Sequence, residues 1–150
     1  MIDKETDRAE FVATVQRVQV CVKDERLADA RDILISAVER WPHISMLWGY
    51  LGCVWSELGS DEQSLDCWRK ARDLKPDSES SSLCLIELLW KPGDRLEFID
   101  EVTRFLSIQD SKEHRDWAIS LIKYLEKSGD DSKTLAYAID QFADFNLETD

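Results

Sequence analysis

Proline and glycine are scarce in this 150-residue chain, at 3 and 5. So few exclude long flexible linkers, and each one stands out as punctuation between ordered segments. Histidine is scarcer still, with only His43 and His114. Neither has a cysteine, serine or carboxylate at the spacing of a known catalytic or metal motif. Glycine-rich phosphate loops and His-Glu-x-x-His are absent too. Catalysis, a cofactor and a metal are therefore not expected. The four cysteines, at positions 21, 53, 67 and 84, include no Cys-x-x-Cys pair. All four fall in helix-like runs that want a small hydrophobe, so reduced packing residues are expected. Long apolar runs are missing: nothing approaches the ~18 residues of a membrane span. Met1-Ile2-Asp3-Lys4-Glu5 lacks the apolar core of a signal peptide, which makes the cytoplasm the expected compartment. Positive charge is short as well, with 19 Lys and Arg against 31 Asp and Glu and a formal net charge of −12. That balance disfavours nucleic acid and anionic membranes, whose phosphates need basic residues. It suits a basic partner, and it also serves solubility.

What the chain does have is a period of 34 residues. Pro42 leads to Pro76, Gly59 to Gly93, Ala37 to Ala71 and Ala30 to Ser64. Leu34, Trp68 and Val102 are spaced alike, as are Cys21, Trp55 and Leu89. Such a period marks stacked supersecondary units, none of which buries its apolar face alone.

Helical spacing of apolar residues predicts eight helices. The first runs from about 7 to 23, with Asp7 and Glu10 as a capping pair. The alternation Val18-Gln19-Val20-Cys21-Val22 lies within it and has no flanking turn, so it is read as helix. The second runs from about 27 to 41 and stops at Pro42. The third, about 45 to 58, ends at Gly59. Ser60 and Gln63 cap the fourth, which stops before Pro76. The fifth, about 79 to 90, breaks at Lys91-Pro92-Gly93. Asp94 with Glu97 and Asp110 with Glu113 cap the sixth and seventh. Ser128-Gly129-Asp130-Asp131 turns into the eighth. Short turns imply antiparallel hairpins. The expected fold class is all-α, an antiparallel helix-hairpin solenoid of about four pairs forming one domain over residues 1–150.

Residues 45–78 carry Trp48, Leu51-Gly52, Trp55, Ser64, Trp68, Ala71 and Pro76. This segment closely resembles a tetratricopeptide repeat, whose pattern is Trp-x-x-Leu-Gly-x-x-Tyr, then Ala-x-x-x-Phe, then Pro. Gly52, Ser64 and Ala71 are small where two helices cross closely; the tryptophans fill the gaps between them. The neighbouring units, 11–44, 79–112 and 113–146, match less well. Arg17-Val18 and Leu85-Ile86 replace Leu-Gly, and Phe98 and Phe105 stand where small residues are usual.

The resemblance implies a protein–protein interaction domain in which the first helix of each repeat lines a concave face. By position, that face holds Val12, Val15, Gln19 and Val22 in the first repeat. In the second it holds Met46, Gly49, Tyr50, Cys53 and Glu57, and in the third Leu83, Cys84, Glu87 and Trp90. The basic clamp with which some family members grip chaperone C-termini has no counterpart at these places. The lining is apolar with a few acids, which suits an apolar, basic or amphipathic segment of a client protein. In format the chain is similar to small acidic secretion-system chaperones, so an adaptor or chaperone is expected. The alternative of another class is an acidic inhibitor or immunity protein that blocks a basic toxin or nuclease.

Overall fold

The computed structural model describes residues 3–90 and 95–108, with the separate helical positions 116, 119, 120 and 123. Those four positions fall in the expected seventh helix; the rest of it, the eighth helix and the turns at Gly93 and Gly129 lie outside the described residues. Six helices can be delimited among the described residues: α1 Lys4–Lys23, α2 Leu27–Arg40, α3 Ser45–Glu57, α4 Asp61–Leu74, α5 Glu79–Leu89 and α6 Arg95–Ile108. No strand occurs among the described residues, and Val18–Val22 is helical. The chain forms two compact units, Met1–Pro76 and Asp77–Asp150.

The first unit holds α1 to α4. Here α2 packs on both α1 and α3, and α3 on α4. Val18, Cys21, Ala30, Leu34, Ala37, Leu47, Leu51 and Val54 are its buried centre. Removing such side chains from water is the main stabilising term, about 1.5–3 kcal/mol for each large one. The small residues sit where the sequence places them. A Cβ on Gly52 would lie 2.7 Å from Nε1 of Trp68. Ser64, wholly buried, donates its hydroxyl to the Gly52 carbonyl at 2.7 Å. Trp68 thus fills the space that Gly52 leaves open, and α3 and α4 approach closely.

The turns that follow α1 and α3 repeat bond for bond. Glu25 N–H donates to Val22 C=O, and Arg26 N–H to Cys21 C=O at 2.8 Å. One period on, Gly59 N–H donates to Ser56 C=O, and Ser60 N–H to Trp55 C=O at 2.8 Å. Both are Schellman endings, which satisfy the carbonyls left free by the last helical turn.

Two capping expectations are corrected. α1 starts earlier than expected, because Asp3, not Asp7, is its N-cap and accepts from Thr6 N–H at 2.8 Å. Asp7 is used in tertiary contact: it accepts from Trp41 Nε1 at 3.1 Å and from Arg40 at 3.2 Å. Ser60 does occupy the N-cap of α4, but its side chain makes no capping bond.

The second unit is described through α5 and α6, which pack together. Phe98, Ile99, Val102, Phe105, Leu85 and Ile86 are fully buried. The bulky residues that stand at the usual small positions therefore fill a core, while α5 turns Ser81 and Ser82 inward. Ser82 donates to buried Glu101 at 2.8 Å, and Arg104 bonds both Glu101 and Ser82. A buried carboxylate needs this pairing, since an unpartnered one is costly to desolvate.

Candidate functional site

The helices α1 and α3 flank a groove of about 830 Å³ in the first unit. Its lining comes from Val18, Gln19, Val22 and Lys23 of α1, and from Tyr50, Cys53, Val54 and Glu57 of α3. Glu25 of the turn and Leu27 of α2 complete it. Tyr50, Cys53 and Glu57 follow one another at helical spacing of three and four residues, so one face of α3 carries all three. Gln19 and Val22 do the same on α1.

The structure thus brings together five residues expected on the concave face: Gln19, Val22, Tyr50, Cys53 and Glu57. Met46 is exposed and lies one turn before Tyr50, outside this groove. Val12 is exposed and Val15 half-buried, also outside it. Gly49 is buried against α4, where an added Cβ would meet the Trp68 ring at 3.2 Å. In the second unit Glu87 is exposed, and Leu83 and Cys84 are half-buried. Trp90 caps α5 and packs on Phe98, with ring centroids 5.4 Å apart at 51°.

Lys23, Glu25, Leu27, Val18 and Val54 were not expected in the site. Val18 and Val54 are core residues whose edges reach the groove floor. Lys23 and Glu25 sit in a polar turn that shows nothing locally. The period alone distinguishes Glu25, because it aligns Glu25 with Gly59.

The chemistry of the groove is that of a surface that holds rather than reacts. Four aliphatic side chains, Val18, Val22, Leu27 and Val54, line it beside one phenol, one thiol and one amide. Burial against the wall, and then the negative charge of Glu57, raise the Cys53 thiol above its ordinary value of 9.0. A thiol shifted that way is a poor nucleophile at neutral pH. Lys23, Glu25 and Glu57 supply the charge, and none of the three makes an ion pair among the described residues. His43 lies exposed in the turn before α3. Cys21 and Cys67 are buried free thiols, and Cys53 is an exposed one. No metal-holding group of His, Cys, Asp and Glu is found among the described residues. No helix among them is long and apolar enough to cross a membrane.

No protein-family model and no curated protein sequence matches the chain. Solved structures do. The first tetratricopeptide domain of Spaghetti (RPAP3), bound to the HSP90 peptide SRMEEVD, gives a TM-score of 0.64 at 11% identity, covering 77% of this chain and 92% of that one. The type III secretion translocator chaperone SycD of Yersinia enterocolitica gives 0.65 at 12% identity, covering 85% and 86%. The tetratricopeptide domain of P58(IPK) gives 0.66 at 20% identity, covering 88% of this chain and 40% of that one. With the sequence period and the repeated turns, these likenesses establish that the chain has the tetratricopeptide-like fold of stacked helical hairpins.

Proposed function

We propose that this chain is a non-catalytic protein–protein interaction module, a small cytoplasmic adaptor or chaperone that holds a segment of one client protein. The observation that carries the reading is the groove of about 830 Å³ between α1 and α3, apolar along its floor and edged by unpaired charges. Its volume falls in the range that encloses a few side chains or a small ligand. An extended peptide or one face of an amphipathic helix fits such a surface. The proposed contact residues are Tyr50, Cys53 and Glu57 in the groove, with Met46 beyond its end; Gly49, buried against Trp68 of α4, is not among them. Leu83, Glu87 and Trp90 are the proposed contacts of the second unit. The peptide on RPAP3 ends in acidic residues. Two carboxylates against one lysine suit such a sequence poorly here, and a basic or amphipathic segment better.

The acidic-inhibitor reading rests on the net charge of −12. It is weakened by the outer helices, where Asp29, Asp32, Asp66 and Asp73 are each paired with an arginine.

The test is affinity capture from cytosol with wild type and with Val22→Asp plus Glu57→Lys. Both sites are exposed, so the double variant should melt like wild type. A client identified by mass spectrometry should be lost with it. Retention of that client, combined with loss on charge reversal along α2 and α4, would favour the inhibitor instead.

A further inference from the structure

The two Schellman turns of the first unit match in hydrogen bonding but not in sequence. Both need a left-handed residue just after the helix. Gly59 meets the need with φ +81, and open space surrounds the place where its Cβ would be. One period earlier the residue is Glu25, with φ +59, and it has positive φ alone among the described non-glycine residues. A long side chain seldom takes this conformation, because its Cβ crowds the backbone. Nothing in the fold requires a carboxylate there: Glu25 makes no ion pair or side-chain hydrogen bond among the described residues. What Glu25 does is line the α1–α3 groove, whose wall also carries Glu57. Val18, Val22, Leu27 and Val54 supply the apolar part of the same groove.

We propose that Glu25 is a specificity residue of this groove, placed to receive the lysine or arginine of a partner segment whose aliphatic neighbours seat on Val22 and Val54. The assignment rests on the groove reading above. Charge complementarity argues for the occupant. The two carboxylates outweigh Lys23, and neither has a cation of its own. An incoming guanidinium or ammonium meets opposite charge, whereas an acidic segment would meet two like charges.

The experiment uses the full chain and a library of blocked dodecapeptides with randomised interiors. Wild type should select peptides with Arg or Lys at one fixed position beside aliphatic residues. Glu25→Gln keeps the backbone conformation and removes the charge. It should lose that basic preference and bind the wild-type-selected peptide about tenfold more weakly. Glu25→Asp should retain the preference. Glu25→Gly should melt at or above the wild-type temperature while binding as weakly as Glu25→Gln. That combination separates recognition from packing, because a structural residue would not lose function while gaining stability. If Glu25→Gln selects the same basic residue with equal affinity, the assignment is wrong. If wild-type selections are aliphatic without a basic position, the assignment is wrong and the groove reading stands. If wild type selects nothing, the groove reading falls and the assignment falls with it.

Discussion

At the scale of single residues, the closest fit in the first unit is between Gly52 and Trp68. The indole edge stands where a Cβ on residue 52 would be, 2.7 Å from its nitrogen. An aromatic ring held in a core cannot yield as the end of a flexible chain does. Gly52→Ala should therefore cost about 1–3 kcal/mol, measured by urea denaturation. Combining it with Trp68→Leu, which removes the obstacle, should cost less than the sum of the two single changes. Equal costs in both backgrounds would mean that the ring is not the cause. The cysteines give a second prediction. Burial, and then Asp66, push the Cys67 thiol up to about 11. Between the ordinary 9.0 and about 11 the unfolded chain loses a proton that the folded chain keeps, so stability falls as pH rises through that window. Cys67→Ala should flatten that part of the stability–pH curve. Under native conditions a maleimide should label Cys53 well before Cys21 or Cys67, as mass spectrometry of timed digests would show. The small residues at 52, 64 and 71 were legible in the sequence, because close helix crossings admit only small side chains. Glu25 was not, since a charged residue in a polar turn looks ordinary until its backbone angle is known.

At the scale of elements, the helix order and most boundaries were legible from apolar spacing, Pro42, Gly59 and Pro76. Expected and observed ends of α2 to α5 agree to within a residue. The start of α1 was not legible, and the reason is competition between two similar signals. Asp3 and Asp7 each stand at a plausible N-cap. Tertiary structure decides between them, because Asp7 is engaged by Arg40 at the end of α2 and by Trp41, its C-cap. The Asp3 cap carries its own test. Its carboxylate accepts the Thr6 N–H, and this bond holds its pKa below the ordinary 3.8. Below that value the unfolded chain takes up a proton that the folded chain refuses. The stability from the cap is thus present above 3.8 and lost as pH falls through the depressed value. The melting difference between wild type and Asp3→Ala should shrink in that acid range and stay constant above it. A constant difference across the whole range would show that the charge of Asp3 plays no part. The third repeat shows a different limit. Phe98 and Phe105 break the small-residue pattern, yet both are buried beside a helix that turns serines inward. A pattern written for one helix does not register compensation on its neighbour.

At the scale of the whole molecule, two compact units carry a chain with an excess of twelve negative charges. The period revealed the hairpin fold, and the resemblance implied which helices face a partner. The groove's boundaries were less legible, because they depend on where α1 and α3 stand apart, which no local pattern encodes. Gly49 illustrates this. It lies one residue before Tyr50, and that one step turns it from the groove wall to the α4 interface. Four acids of α2 and α4, Asp29, Asp32, Asp66 and Asp73, are paired to arginines, while Glu25 and Glu57 of the groove are left open. The central claim is that the open set meets the partner. Cys53 permits a direct test, since it is exposed and lies on the groove wall. A benzophenone maleimide attached there, in a chain carrying Cys84→Ser, places a photo-crosslinker inside the groove. The account predicts one dominant adduct on illumination in cytosol, abolished by Val22→Asp plus Glu57→Lys. An adduct formed instead from a crosslinker at Asp73→Cys on α4, with none from Cys53, would contradict it.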